Sequence, residues 1–138
     1  MPVKLKDIEW AIEFVSSGLG DNEAYISLDT GEIYYIDDAM EEPIPDDLYT
    51  SNRYLMFPSK QELDLGKRLA LSFIAEETPE KLELGYDIFS RRGAYAKFKT
   101  LLESTGKLES WYAYEEAALK RAAMQWCQDN DVEFDTDI

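Results

Sequence analysis

The sequence predicts an α+β fold: a short antiparallel sheet of about three strands in the N-terminal half, packed with an N-terminal helix and followed by a C-terminal group of about four helices. Three observations carry this expectation. An apolar stripe at helical spacing opens the chain, two runs rich in β-branched and aromatic residues follow around an Asp-Thr-Gly-Glu turn, and from Ser59 onward the capping and periodicity signals are helical. With 138 residues, 45% hydrophobic and 31% charged, the chain fits a single domain with its own core and a well-solvated surface. Within that domain, residues 1–58 hold the first helix and the strands, 59–130 the helical part, and 131–138 an acidic tail.

Each element has its own justification. Ile8, Ala11, Ile12 and Val15 share one helical face, extended by Leu5, while Trp10 and Phe14 flank it one turn apart. Gly18 and Gly20 are read as the stop. In the next run Ala24, Ile26 and Leu28 alternate with Tyr25 and Ser27, a strand with one face on the core. Its hairpin partner is Ile33-Tyr34-Tyr35-Ile36, because Asp29 starts the turn and Gly31 supplies its left-handed position. Prolines and repelling acids make 37–52 a loop. Arg53-Tyr54-Leu55-Met56-Phe57 is the third strand, ended by Pro58.

In the helical part, Ser59 with Glu62 forms a capping box, so a helix is expected from there, with Leu65, Leu69, Ala70, Phe73 and Ile74 inward. Thr78-Pro79 marks the next start, with Leu82, Tyr86 and Phe89 inward. A third helix runs from Gly93 to about Thr105, burying Ala94, Phe98, Leu101 and Leu102 and ending at Gly106. The last and longest runs from about Leu108 to Asp129, with Trp111, Ala118, Ala122 and Trp126 on one stripe. Val132 and Phe134 offer a short strand, but their acidic neighbours and position predict fraying.

Composition narrows the function. The lone cysteine, Cys127, permits no internal disulfide and favours a reducing compartment. Met1–Asp7 has no leader character, residues 8–15 are interrupted by Glu9 and Glu13, and no run of 18 apolar residues occurs, so a cytoplasmic protein without a membrane span is expected. The net charge of −15 is uneven: residues 1–64 carry 4 bases and 15 acids, 65–107 carry 8 and 6, and 108–138 carry 2 and 8. Such a field repels nucleic acid and anionic lipid, so direct binding to either is not expected.

The chain has no histidine, which removes the commonest general base and metal ligand. One cysteine without histidine excludes Cys–His catalysis and thiolate zinc sites. No phosphate-binding glycine motif or nucleophile elbow occurs. The expectation therefore leans away from an enzyme, and no cofactor is implied. Cys127 reads as a small packed hydrophobe.

The most suggestive stretch is Ile88–Leu102, which contains Arg91, Arg92, Lys97 and Lys99 and no acid. Two arginines and a glycine precede a helix start, where free amides attract anions. Read functionally, Arg91, Arg92 and Lys99 hold a phosphate or carboxylate, with Tyr95 or Tyr114 beside it and Glu115 or Glu116 as acid or base. Read structurally, the same bases pair with the abundant carboxylates. Trp111, Tyr112 and Tyr114 cannot all face inward, so Tyr112 or Tyr114 is a second candidate for a groove near this span. The acidic loop 37–47 would suit calcium or magnesium by ligand type but has no recognisable spacing; a solvated loop is the plainer reading. The acids of 129–137 begin like a calcium loop, yet Phe134 stands where that loop needs glycine.

Ala24-Tyr25 with Asp29-Thr30-Gly31-Glu32, Arg53-Tyr54-Leu55, Arg92-Gly93-Ala94-Tyr95 with Phe98-Lys99, and Trp111-Tyr112-Ala113-Tyr114 together resemble a bacterial group of small proteins, uncharacterised protein family 0158. The resemblance covers about residues 5–130 and rests most on the Arg-Gly-Ala-aromatic segment and the Trp-x-x-aromatic helix. It implies a bacterial, cytosolic, single-domain protein and supplies no activity, cofactor or catalytic residue. Three readings follow: a non-catalytic module that binds a basic protein through an acidic surface, a binder of small anions at Arg91-Arg92-Gly93, and a helical assembly through Trp10 and Phe14. A monomer or weak dimer is compatible with the first two.

Overall fold

The architecture, given by a computed structural model that describes residues 3–17, 21–37 and 44–136, is α+β. In chain order the elements are β1 (Val3–Lys4), α1 (Leu5–Ser16), β2 (Glu23–Ser27), β3 (Ile33–Ile36), β4 (Tyr54–Met56), α2 (Lys67–Glu77), a 3₁₀ turn (Pro79–Lys81), α3 (Leu82–Phe89), α4 (Ala94–Thr105), α5 (Leu108–Asp129) and β5 (Phe134–Asp135). They divide into two compact units, one of Met1–Leu63 with Lys120–Ile138 and one of Asp64–Leu119.

The first unit is built on an antiparallel sheet of order β3-β2-β4. Gly31 at φ 79° closes the hairpin, which only glycine does without strain, and registers Tyr25 opposite Tyr34 and Ile26 opposite Ile33. β4 lies on the other side of β2, with Tyr25 opposite Met56 and Ser27 opposite Tyr54. Being central, β2 buries both faces from Ala24 to Ser27, so the expected alternation fails: Tyr25 and Ser27 are buried and Leu28 is exposed. Ser27 is satisfied there, because its hydroxyl oxygen accepts from the amides of Asp29 and Thr30.

Leu5, Ile8, Ala11 and Ile12 form the buried face of α1, as their spacing predicts. Phe14 is half-buried, its ring edge-to-face with Tyr35 at 5.1 Å, which removes it as an exposed contact residue. Trp10 remains 58% exposed. Gly18 and Gly20 lie outside the described residues; among those described, the Asn22 amide donates to the Phe14 and Ser17 carbonyls and satisfies the end of α1. Phe57 stacks on Trp126 at 4.9 Å. The tail does not fray at once: β5 pairs in parallel with β1, Val3 opposite Phe134. Asp131 at φ 56° turns the chain, and the Val132 amide donates back to the Cys127 carbonyl at 2.8 Å.

In the second unit, α2 to α4 and the start of α5 enclose one core of Ala70, Phe73, Ile74, Ile88, Phe98, Leu102 and Trp111. Trp111 meets Phe98 at 5.0 Å and Phe73 at 5.4 Å, both edge-to-face. The two cleanest predictions were the last helices: Gly106 at φ 71° ends α4, with the Lys107 amide returning to the Leu102 carbonyl, and α5 occupies Leu108–Asp129.

Three local expectations are corrected. The Ser59 hydroxyl does accept from the Glu62 amide at 3.2 Å, but it caps an isolated turn, and α2 begins only at Lys67. Thr78 makes no side-chain cap; it ends α2 and leads into the 3₁₀ turn at Pro79. In α3 the buried positions are Gly85 and Ile88, while Tyr86 is 57% exposed. Glycine at position 85 lets α3 approach Ile74 and Leu71 so closely that its own backbone, rather than Tyr86, fills the interface.

Candidate functional site

The basic span lies on the turn from α3 into α4. Gly93 adopts φ 70° and stands at the N-cap without a side-chain cap, leaving the first amides of α4 to solvent. Arg91 is paired, its Nη2 3.3 Å from Asp87 Oδ1 one turn back. Arg92 is exposed and has no ion pair among the described residues. Lys99 sits a turn and a half further along α4, its Nζ 5.9 Å from the centre of the Tyr112 ring on α5.

The two tyrosines proposed for this site do different things. Tyr95 is half-exposed, packs edge-to-face on Phe89 at 5.4 Å, and its hydroxyl is pushed up by burial and then by the Glu115 carboxylate. Tyr114 packs against the core cluster: it stacks on Trp111, meets Phe73 edge-to-face at 5.1 Å, and its hydroxyl donates to Glu76 Oε2 at 2.6 Å. The structure thus brings Lys99 together with Tyr112 and sets Tyr95 near Glu115, while Tyr114 faces α2.

The first unit presents a different surface. It carries 19 acids and 6 bases, net −13, whereas the second carries 10 and 8, net −2. Among the ion pairs of the first unit are Arg53 with Asp29 at 2.6 Å and Lys60 with Glu13 at 3.0 Å. On one face of the sheet, tyrosines alternate with these acids. The Tyr25 hydroxyl donates to Glu23 at 2.9 Å and the Tyr34 hydroxyl to Glu32 at 2.7 Å. Both are pushed up to about 12, Tyr25 mainly by burial and Tyr34 mainly by that hydrogen bond. Tyr54 is raised by burial and by Asp47. Tyr34 meets Tyr54 edge-to-face at 6.2 Å and Tyr25 meets Tyr49 at 5.8 Å. Sequence reasoning missed this group; the available signal was a tyrosine in each of β2, β3 and β4, which become one surface only once the strand order is known.

Cys127 is fully buried, and burial alone pushes its thiol up to about 11, which disfavours the reactive thiolate. Two recesses, of about 210 Å³ beside the β2–β3 turn and about 240 Å³ beside Arg68 and Tyr86, are smaller than ordinary ligand pockets of roughly 300–1,000 Å³. Among the described residues no three acids or thiols converge on a metal position, and no helix is long and apolar enough to cross a membrane. Residues 38–43 of the acidic loop, with the cation reading attached to them, lie outside the described residues.

Fold and surface together define a small α+β protein with one strongly acidic unit and one near-neutral helical unit. The sequence model of the Uncharacterised protein family (UPF0158) matches residues 2–137, and the chain belongs to that family. No curated protein and no solved structure matches it.

Proposed function

We propose that this chain is a non-catalytic binding protein of the bacterial cytoplasm that engages a basic protein partner through the acidic surface of its first unit. The observation that carries the reading is the division of charge, −13 on one unit and −2 on the other. A field of that size steers cationic partners and disfavours anionic ones. The test is capture of partners on the immobilised full chain at rising salt. Going from about 0.1 M to about 1 M shortens the Debye length from about 10 Å to about 3 Å, so retained proteins should be basic and should elute in that range. Replacing Glu32, Asp46 and Asp47 with their amides should weaken retention. A partner held equally at high salt, or indifferent to those substitutions, would refute the reading.

A second reading has its own observation: Arg92 stands unpaired among the described residues beside the open amides of α4. On it, Arg91, Arg92 and Lys99 bind a small phosphate or carboxylate. Thermal unfolding with phosphate, pyrophosphate and citrate tests it, since a ligand at a hundred times its Kd stabilises by about 2.7 kcal/mol. A midpoint shift lost in Arg92→Ala supports it, and the absence of any shift removes it.

A further inference from the structure

Building on the basic-partner reading, we propose that the partner docks on the tyrosine face of the β3-β2-β4 sheet and meets it with an arginine-bearing segment.

Strand alternation and register define the face. Tyr34 and Met56 flank Tyr25 on either side, and Tyr54 lies opposite Ser27, so these side chains share one side of the sheet. Ala24, Ile26, Ile33, Tyr35 and Leu55 point to the other side, where Phe14 of α1 packs on Tyr35. On the tyrosine side, Tyr25 is buried beneath Tyr49, Tyr34 and Tyr54 are half-buried, and Tyr49 and Met56 are 62% and 49% exposed. The partly exposed side of an antiparallel sheet is ordinarily polar. A run of tyrosines and a methionine there is the composition of a contact surface, in which large amphipathic side chains concentrate.

The carboxylates select the occupant. Glu23 and Glu32 accept from the hydroxyls of Tyr25 and Tyr34, and Asp47 acts on that of Tyr54, so each acid is held beside a ring. The strands β2, β3 and β4 contain no lysine or arginine, and the nearest base, Arg53, is already engaged by Asp29. A guanidinium is planar, weakly hydrated and bidentate; it stacks on a tyrosine ring while donating to a neighbouring carboxylate, which an ammonium does less well. Nucleobases also stack on aromatic sheets, but their phosphates would enter the field of a unit carrying −13.

The experiment is a titration of the full ¹⁵N-labelled chain with capped hexa-arginine, hexa-lysine and oligo-dT, followed by amide shifts at low salt. Hexa-arginine should move amides of residues 23–36 and 47–56 and bind more tightly than hexa-lysine. Tyr34→Ala with Tyr54→Ala should remove that preference, and the double Phe variant, which keeps both rings, should retain it. Retained cross-strand contacts between β2 and β3 establish that the variants are folded. Shifts centred elsewhere, or a preference unchanged in the folded Ala variant, would overturn the docking face while leaving the acidic-surface reading intact. Failure of both peptides to bind would overturn both. Stronger binding of oligo-dT on the same amides would overturn the arginine assignment in favour of nucleic acid.

Discussion

The contact of Gly85 with Ile74 offers a quantitative test of how the second unit is packed. A Cβ added at Gly85 would lie 2.7 Å from Ile74 Cδ1 and 3.4 Å from Leu71 Cδ2. Ordinary carbon contacts sit at about 3.5–4.0 Å, so Cδ1 would have to retreat by about 1 Å. Ile74 is fully buried, and the movement is resisted by its neighbours. Overpacking of this kind costs about 1–3 kcal/mol, while alanine in place of a mid-helix glycine returns about 1 kcal/mol. Gly85→Ala alone should therefore destabilise by about 1 kcal/mol. Ile74→Val removes the offending methyl and by itself costs about 1 kcal/mol. In the double variant the new Cβ occupies the space that Cδ1 vacates, the cavity closes and the helix gain remains. Its stability should return to within about 0.5 kcal/mol of the parent, a favourable coupling of about 2 kcal/mol that is characteristic of residues in contact. Urea unfolding followed by helix circular dichroism measures all four corners of the cycle. Additive losses, with no coupling, would refute this account of the α2–α3 interface.

Three further outcomes follow from the titrating groups. Arg53 holds the Asp29 carboxyl below its ordinary value of 3.8, so the pair stabilises the hairpin above that pH and is lost as pH falls through the lowered folded value; carboxyl NMR should show a depressed midpoint that Arg53→Gln restores. Tyr34 ionises at about 12 in the folded chain against an ordinary 10, so its contribution is complete below pH 10 and disappears as pH rises from 10 to 12. Ultraviolet titration should show that late ionisation move back toward 10 in Glu32→Ala. Cys127, buried and raised to about 11, should resist a thiol reagent at pH 8 and react only as the chain opens, and rapid labelling of the native protein would contradict its placement.

How much of this was legible depended on whether the deciding interaction was local. Gly31, Gly93 and Gly106 each take a positive φ, and those three positions located the hairpin and both ends of α4 from sequence alone. The start of α5, two residues beyond Gly106, followed with the end of α4. The face of α3 was misjudged because Tyr86 obeys the helical period as well as Gly85 does, and only the approach of Ile74 decides between them. Ser59 made its cap and still began no helix, because a cap satisfies amides without supplying the apolar face that sustains a helix. At the candidate sites, the Arg91–Asp87 pair was readable from its i,i+4 spacing. The Lys99–Tyr112 contact and the tyrosine face were not, since each needs elements distant in sequence to be neighbours.

The parallel pairing of β1 with β5 bears on the order in which the protein is made. Val3 leaves the ribosome well before its partner Phe134, which emerges only after the whole of Asp64–Leu119. That intervening segment has all its internal contacts as soon as residue 119 is released, and its helices need only short loop closures. The sheet unit, by contrast, waits with α1 and β2 already synthesised until Lys120 and the residues after it appear. During that interval Leu5, Ile8 and Ile12 lack the last part of their unit. A chain truncated after Leu119 should therefore keep a folded helical segment, Asp64–Leu119, preceded by a protease-sensitive acidic one.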